Sequence, residues 1–327
     1  MNSATRDENA SDASVSAEGR GQRPSRSELP GSRRLSIAVG IATAGRPAIV
    51  GRTIALLTQQ TRLPDMLIAC PASPADLPSD AMQSLPFESQ VLSGKRGLTA
   101  QRNRILERSG GADIIVFFDD DFFPRTDYLE QLEAIFLQHP DVVAVTGRPI
   151  RDGANGPGVD VDTALELLSQ SRPNAAPAAL SETFGTYGCN MAFRMQPIRL
   201  RALTFDEALP LYGWQEDIDF SRQLAGDGRI VDASVLSGVH LGAKSGRTSG
   251  VRVGYSQIAN PLYLIRKGTM SIDFAAPLIW RNVAANLAKS FWPEPWVDRK
   301  GRLKGNCLAV WDLLLGRMSP LRVLELE

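Results

Sequence analysis

The chain has 327 residues, of which 43% are hydrophobic and 22% are charged, a composition typical of a globular protein with a buried core. Lysine plus arginine and aspartate plus glutamate both total 36, so the chain lacks the overall positive charge that attracts nucleic acid. Cys70, Cys189 and Cys307 lie far apart in sequence, and this sparse, odd number favours a reducing cytosol over a disulfide framework.

The sequence predicts no membrane-spanning segment and no signal peptide. Its longest apolar stretches are interrupted by charged residues or proline before they reach about 18 residues, the length that a spanning helix needs. Residues 1–34 are rich in serine, alanine, glycine, arginine and glutamate and contain almost no large apolar side chains. Because such a segment cannot bury enough surface to offset its ordering entropy, we expect a disordered tail.

Strands and helices are predicted to alternate from residue 35 to about residue 150. Apolar runs predict strands at 35–42, 66–70, 91–92, 113–118 and 142–145. Apolar residues at helical spacing predict helices that begin at Pro47, Leu98 and Tyr128. This alternation is typical of an α/β fold with an open, mostly parallel sheet flanked by helices. Right-handed crossovers would bring the ligand-binding loops to one edge of that sheet.

The pattern changes after about residue 150. Residues 151–180 are rich in glycine, proline, alanine, serine and asparagine, which predicts an irregular loop region. Beyond them the sequence predicts a strand over 188–193, a helix that contains Glu216, and an extended segment over 231–239.

We expect residues 35–268 to form one catalytic domain and residues 269–327 to form a helical C-terminal extension. The extension mixes aromatic and aliphatic side chains with cations, a combination that suits the headgroup region of a membrane. It therefore predicts peripheral membrane association, with packing on the catalytic domain or on a second subunit as the alternative. The residues concerned are Phe274, Leu278, Ile279, Trp280, Val283, Leu287, Phe291, Trp292 and Trp296, among Arg281, Lys289, Arg299, Lys300, Arg302 and Lys304.

Three consecutive carboxylates, Asp119, Asp120 and Asp121, follow the clearest predicted strand. Like charges gathered in this way raise one another's pKa, a cost that a divalent cation removes. In an extended Asp-x-Asp the first and third side chains face the same side, so Asp119 and Asp121 are expected to bind Mg²⁺ or Mn²⁺ while Asp120 points elsewhere. The alternative is a solvated acidic turn, and the four flanking phenylalanines favour the metal site over it.

Glu216 and Asp217 form a second acidic pair near the predicted start of a helix. The helix dipole favours acidic side chains at this position, which gives the pair a purely structural alternative. Tyr212, Gly213 and Trp214 come just before the pair and supply aromatic rings and a hinge-like glycine. Such surroundings suit the wall of a sugar-binding site.

His240 is one of two histidines, and a lone histidine is more often a surface or satisfied core residue than a ligand. It ends an extended segment and precedes a glycine-containing loop with Lys244 and Arg247. A neutral imidazole there would complete a metal shell, and the two cations would neutralise a diphosphate.

Several short segments, taken in order, resemble motifs of the family 2 glycosyltransferases, which are inverting enzymes with the GT-A fold. The resemblance covers about residues 35–265 and implies an α/β domain of GT-A type. The segments that carry it are 37–47, 57–61, 97–106, 118–121, 188–194, 216–217 and 239–240. The second predicted strand ends at Cys70, where many members have an aspartate that contacts uracil, so the nucleotide base stays open.

The resemblance also implies roles for individual residues. Asp217 would be the catalytic base beside Glu216, although spacing alone does not choose between them. The implied metal ligands are Asp119, Asp121 and His240. The implied nucleotide-sugar-binding residues are Thr43, Arg46, Arg102, Asn103, Asp119, Asp120, Asn190, Trp214, Lys244 and Arg247.

The function that the resemblance implies is metal-dependent, inverting transfer of a sugar from a nucleotide-diphosphate donor to a hydroxyl of a glycan or lipid-linked acceptor. The expected setting is cell-surface or exopolysaccharide synthesis at the cytoplasmic face of the inner membrane. A sugar nucleotidyltransferase is one alternative, but the loop at 43–47 is too short for its phosphate-binding segment. A non-catalytic glycan-binding protein is another. A dehydrogenase is disfavoured because no Gly-x-Gly-x-x-Gly follows the first strand.

Overall fold

A computed structural model describes residues 34–172, 178–245 and 248–326 of the chain. From Leu35 onward the described residues belong to one compact unit. Apart from Arg34, the tail predicted to be disordered lies outside the described residues.

The described residues form eleven strands in two sheets and nine α-helices. The strands are β1 (Ile37–Thr43), β2 (Met66–Pro71), β3 (Glu88–Val91), β4 (Ile114–Asp119), β5 (Phe122–Pro124), β6 (Val142–Gly147), β7 (Arg151–Asp152), β8 (Leu180–Glu182), β9 (Asn190–Arg194), β10 (Arg229–Ala233) and β11 (Gly238–His240). The helices are α1 (Pro47–Leu57), α2 (Leu98–Arg108), α3 (Tyr128–Gln138), α4 (Val161–Gln170), α5 (Met195–Arg201), α6 (Glu216–Gln223), α7 (Gly250–Lys267), α8 (Ile272–Lys289) and α9 (Arg299–Leu314).

The larger sheet has eight strands in the order β3-β2-β1-β4-β9-β6-β10-β8. Strands β3, β2, β1 and β4 are parallel, β6 pairs in parallel with β10, and β9 lies antiparallel between β4 and β6. The predicted open, mostly parallel α/β sheet is therefore confirmed. The chain winds outward from β1 to β3 and then returns to the other side of β1 as β4. This change of direction makes the carboxyl ends of β1 and β4 a topological switch point, where such sheets bind ligands.

The packing of the hydrophobic core explains why the sequence of β4 is a continuous apolar run. Ile114, Val116 and Phe118 join the cluster of buried residues that also contains apolar residues of α1 and α3. Ile115 and Phe117 point the other way, into the cluster that contains residues of α2 and α6. Because helices cover both faces of the sheet, neither face of β4 needs polar side chains.

The smaller sheet, β5-β11-β7, joins three segments that are distant in sequence. β5 begins just after Asp121 and runs antiparallel to β11, and β11 runs parallel to β7 with His240 paired to Asp152. The small sheet therefore places His240 beside the acidic segment that follows β4.

Two expectations about the middle of the chain were wrong. The region 151–180, expected to be irregular, contains α4 as well as β7 and β8. Asp160 caps α4 by accepting a hydrogen bond from the backbone of Thr163, and Ala164 is buried against the small sheet. The glycine- and proline-rich flanks concealed this short amphipathic helix. The extended segment at 231–239 is two strands, β10 and β11, which belong to different sheets.

The predicted helical C-terminal region is confirmed by α8 and α9, which are followed by a 3-10 turn at Pro320–Glu325. α7 packs closely along α9, because Gly254 and Gly305 let the two backbones approach each other. Among the described residues, no helix is both long and apolar enough to cross a membrane.

We predict that Gly254→Ala destabilises the protein even though alanine favours helix formation over glycine by about 1 kcal/mol. A Cβ at Gly254 would overlap the backbone carbonyl of Arg302, which cannot move without separating α7 from α9. The net loss should be about 1–3 kcal/mol in the free energy of unfolding, measured by urea denaturation. Gly111→Ala is the control, because an added Cβ there meets nothing within 4 Å. Equal stability of the two variants would contradict this view of the packing.

Candidate active site at the carboxyl ends of β1 and β4

The acidic segment after β4 converges with the small sheet. Ligand atoms of Asp119, Asp121 and His240 all lie within 4.8 Å of one another. Asp119 ends β4 opposite Ala42 of β1, which places the group at the switch point of the large sheet. The predicted gathering of Asp119 and Asp121 with His240 is thus what the structure shows.

Asp121 is fixed by several donors. Its Oδ2 accepts hydrogen bonds from the backbone N–H of Ala243 at 2.8 Å and from Nη1 of Arg46 at 2.9 Å. Its Oδ1 lies 3.4 Å from Nε2 of His240. Burial alone would raise the pKa of Asp121, but the contacts with His240 and Arg46 outweigh burial and lower this pKa to about 2. Asp121 is therefore ionised at neutral pH.

Asp120 points away from this group, as the extended Asp-x-Asp predicts. Its Oδ2 accepts a hydrogen bond from the Thr43 hydroxyl at 2.7 Å, and its Oδ1 lies 2.9 Å from Nη2 of Arg46. Burial raises the pKa of Asp120 to about 7, with Arg46 opposing the rise. Asp120 thus ties the loop after β1 to the end of β4, and Arg46 spans Asp120 and Asp121.

The three ligands fit a divalent cation of the Mg²⁺ or Mn²⁺ type. Two carboxylates and one imidazole form the donor set, and oxygen-rich sets suit these ions. Asp119 and Asp121 repel each other in a buried setting, and burial raises the pKa of Asp119. A cation bound by Asp119, Asp121 and His240 would offset that repulsion.

Arg102 connects the two acidic clusters. Its guanidinium is fully buried and lies 5.7 Å from the ring centres of both Phe117 and Phe205. Nη2 donates to Oδ1 of Asp119 at 3.0 Å and to the carbonyl oxygen of Gly188 at 2.9 Å. Nη1 donates to Glu216. The Arg102 side chain of α2 therefore links Asp119, at the end of β4, to Glu216, at the start of α6.

Glu216 and Asp217 begin α6 and have different surroundings. Glu216 is buried against Arg102, its Oε2 has no hydrogen-bond partner among the described residues, and burial raises its pKa to about 8. Asp217 is half-buried, and its carboxylate accepts 2.8 Å hydrogen bonds from the backbone N–H groups of Gly188 and Ile218. Burial raises the pKa of Asp217, and these two hydrogen bonds oppose the rise.

The loop before α6 is held in an unusual backbone conformation. Leu211, Gly213 and Gln215 have positive φ angles of 58°, 62° and 76°. For the two residues other than glycine this conformation costs on the order of 1–3 kcal/mol each, and strain of this kind clusters at functional sites. Asn260 of α7 holds the loop by donating to the carbonyl oxygen of Trp214 at 2.7 Å.

Asp219 faces the opposite side of α6. Its carboxylate lies 2.7 Å from Nζ of Lys267 and accepts a 2.6 Å hydrogen bond from the Thr269 hydroxyl. Asp219 therefore anchors α6 to the end of α7 and does not join Glu216 and Asp217.

Of the four other residues of the predicted binding set, three hydrogen-bond to backbone atoms and one lies outside the described residues. Asn103 exchanges hydrogen bonds with the backbone of Phe205, and the Asn190 amide oxygen accepts one from the backbone N–H of Gly147 at 2.6 Å. Lys244 donates to the carbonyl oxygens of Gly153 and Ala154. Arg247 lies outside the described residues.

Two residues of the site escaped the sequence prediction. Asp152 accepts a hydrogen bond at 2.8 Å from Nδ1 of His240, and the Tyr187 hydroxyl donates to Asp152 at 3.0 Å. Asp152 lies in the region that was expected to be irregular, and nothing in its local sequence marks it as the partner of a residue 88 positions away.

Comparison with known proteins identifies a family whose sequence pattern this chain matches. Residues 39–200 match the family described as Glycosyl transferase family 2. That segment includes β1, α1, α2, β4 and the acidic segment after β4. A search of curated proteins found no significant match.

Solved structures share the fold at low sequence identity. S. aureus TarS 1-349 in complex with UDP-GlcNAc has a TM-score of 0.53 and 12% identity, covering 82% of this chain and 78% of its own. GalNAc-T7 with UDP, GalNAc and Mn²⁺ has a TM-score of 0.50 and 12% identity, covering 87% of this chain and 57% of its own. These similarities show the GT-A fold of the described domain.

We predict that Glu216→Gln becomes more stable relative to the wild type as the pH rises. The folded-state pKa of Glu216, about 8, lies above the ordinary value of 4.5, so folding takes up a proton at this site. That stabilisation is complete below the ordinary pKa and is lost as the pH rises through the folded pKa. The difference in unfolding free energy, measured by urea denaturation at about pH 5 and about pH 8, should therefore shift in favour of the variant.

Glu88→Gln, at an exposed position on β3, is the control and should show no such shift. A difference that stays the same between about pH 5 and about pH 8 would mean that Arg102 keeps Glu216 ionised throughout this range, and it would contradict the prediction.

Proposed function

Because this chain belongs to glycosyl transferase family 2, we propose that it transfers a sugar from a nucleotide-diphosphate donor to an acceptor hydroxyl, with Mg²⁺ or Mn²⁺ as cofactor. The observation that carries the proposal is the pairing of a three-ligand metal group with a separate acidic pair through one buried arginine. Inverting transfer needs these two parts, one for the leaving diphosphate and one for the attacking hydroxyl.

Asp119, Asp121 and His240 would hold the cation at the donor side. When bound, the cation supplies Lewis-acid stabilisation of the departing diphosphate. Arg46 lies at the same place, partly exposed and paired with Asp121, and is well placed to turn toward phosphate oxygens. Lys244 and Arg247 complete our proposed set of phosphate-binding cations.

Asp217 is our proposed general base. Its carboxylate is half-buried and is oriented by two backbone N–H groups, so a lone pair remains for an acceptor hydroxyl. Glu216 is engaged by Arg102 and is buried, and Asp219 is engaged by Lys267. Among the three carboxylates of α6, Asp217 is therefore the one best placed to receive a proton.

The strained loop over 211–215 would form the sugar-binding wall, with Trp214 and the exposed ring of Tyr212 beside the acidic pair. The nucleotide base stays open, because Cys70 lies one residue before the end of β2, where many members have an aspartate. The solved complexes with UDP-GlcNAc and with UDP make uridine diphosphate sugars the first donors to test.

We predict that donor turnover requires a divalent cation. Release of nucleotide from a panel of nucleotide-diphosphate sugars should occur with Mn²⁺ or Mg²⁺ and fall to background in excess chelator, because Asp119 and Asp121 alone repel a diphosphate. Asp121→Asn should be inactive at the same cation concentration, and Asp162→Asn, at an exposed position on α4, should behave like the wild type.

Full turnover in chelator or in Asp121→Asn would contradict the metal site. Release of pyrophosphate from a nucleoside triphosphate and a sugar phosphate would instead identify a nucleotidyltransferase. Binding of glycans without turnover of any donor would identify a non-catalytic protein.

We predict that Asp217→Asn lowers the transfer rate by about 10²–10⁴-fold, the usual contribution of a general base. Asparagine keeps the shape of the side chain but cannot take the acceptor's proton. Donor and metal affinity should stay near wild type, since neither uses this carboxylate. Transfer rate and donor affinity are measured in parallel for Glu216→Gln. Near wild-type transfer by Asp217→Asn together with an inactive Glu216→Gln would assign the base to Glu216.

Peripheral binding to an anionic membrane is the second part of our proposal. Three aromatic residues in and just after α8 are strongly exposed, with Trp280 at 73%, Phe291 at 70% and Trp292 at 83%. Arg281 and Lys289 are exposed on the same helix. Aromatic rings among cations favour the headgroup region of an anionic bilayer. A lipid-linked acceptor at the cytoplasmic face of the inner membrane would explain why a glycosyltransferase carries such a surface.

We predict that the full chain floats with anionic vesicles and that replacing Trp280, Phe291 and Trp292 with serine abolishes flotation. Binding should weaken at high salt and with neutral vesicles, because the cations contribute to it. Leu200→Ser is the matched control, because Leu200 of α5 is 79% exposed but lies outside the C-terminal region. Unchanged flotation of the triple variant would contradict membrane binding through these three aromatic residues. Loss of a dimer without any flotation in the wild type would identify the surface as a subunit interface.

A further inference from the structure

We propose that Asp152 is a positioning residue that keeps the proton of His240 on Nδ1, so that Nε2 presents its lone pair to the metal group. The inference rests on the proposed function, because it concerns the cation that Asp119, Asp121 and His240 would share. It adds a carboxylate that lies outside the three-residue metal group.

The backbone around Asp152 fixes its position relative to His240. β7 and β11 pair in parallel with Asp152 opposite His240. The backbone N–H of Gly153 donates to the carbonyl oxygen of His240 at 2.8 Å, and that of Ile150 donates to Gly238 at 2.7 Å. Hydrogen bonds on both sides of Asp152 therefore set the approach of its side chain to the imidazole.

Both oxygens of the Asp152 carboxylate act as acceptors. Oδ1 lies 2.8 Å from Nδ1 of His240 and accepts a 2.9 Å hydrogen bond from the backbone N–H of Ala154. Oδ2 accepts the Tyr187 hydroxyl at 3.0 Å. The ring of Tyr187 also stands edge-on to the imidazole, with ring centres 6.0 Å apart. Asp152 is thereby held in one orientation.

These contacts determine which imidazole nitrogen carries a proton. An ionised carboxylate can only accept, and the Tyr187 hydroxyl donates its own proton to Asp152, so the Asp152 carboxylate and the Tyr187 hydroxyl both present acceptor atoms to Nδ1. Nδ1 must therefore donate. Nε2 faces Oδ1 of Asp121 at 3.4 Å, and this is the contact that a bound cation would replace. A carboxylate behind a ligating imidazole sets its tautomer and raises its basicity, and loss of such a partner typically costs about 10–100-fold in metal affinity.

The test uses Asp152→Asn in the full chain. The asparagine amide can donate to Nδ1, which would move the histidine proton to Nε2 and block the lone pair. We expect Mn²⁺ affinity, measured by electron paramagnetic resonance titration without donor, to fall about 10–100-fold. Asp162→Asn, at an exposed position away from the network, should keep the wild-type affinity. Tyr187→Phe removes one support of Asp152 and should give a smaller loss.

Nitrogen-15 NMR of labelled histidine provides the second readout. The chain has two histidines, so His139→Gln assigns both signals. With saturating Mg²⁺, His240 should carry its proton on Nδ1 in the wild type and on Nε2 in Asp152→Asn. Unchanged Mn²⁺ affinity, or reduced affinity with an unchanged tautomer, would overturn the proposal. Failure of the proposed function would look different, since a wild type that binds Mn²⁺ but turns over no donor leaves this result intact.

Discussion

The buried guanidinium of Arg102 is the interaction on which the arrangement of the site depends. Burying an unpaired cation would cost at least several kcal/mol, so Arg102 is stable in the interior only with Asp119 and Glu216 in place. Conversely, Arg102 lowers the cost of burying Asp119 and Glu216, although burial still raises the pKa of both carboxyls. The separation between the metal group and the acidic pair of α6 is therefore set by one rigid planar group.

The partners of Arg102 lie on different secondary-structure elements. Asp119 comes from the end of β4 at the switch point of the large sheet, and Glu216 comes from the first turn of α6. Gly188 precedes β9 and contributes its carbonyl oxygen to Arg102 and its N–H to Asp217. The backbone before β9 thus links the cation that organises the site to the carboxylate that we assign as the base.

The sequence was sufficient where local patterns carry the information. An apolar segment followed by three carboxylates predicts both the buried β4 and the turn of Asp120 away from Asp119 and Asp121, because side chains alternate along an extended chain. Asp219 could likewise be separated from Asp217 by helical geometry, and the structure places it with Lys267. The helix α4 was missed because its apolar residues lie within a glycine- and proline-rich stretch.

Contacts that depend on tertiary register could not be read from the sequence. Asp152 and His240 meet because β7 and β11 pair in one particular register, and no short motif encodes that pairing. Arg102 was expected near the donor, but its burial between two phenylalanines and its link to both acidic clusters emerge only when α2 packs on the sheet. The roles of Asn103 and Asn190 in sugar binding remain predictions from the family resemblance.

We propose that the two acidic clusters act in a single displacement, one holding the leaving diphosphate and the other deprotonating the acceptor. The stereochemistry of the transferred sugar distinguishes this one-step reaction from a two-step reaction. Proton NMR of the first product formed from an α-linked nucleotide sugar reports the configuration at the anomeric carbon. We expect a β-linked product, since a hydroxyl activated by Asp217 attacks the face opposite the diphosphate. An α-linked first product would mean retention, and it would contradict the assignment of Asp217 as the base of a one-step transfer.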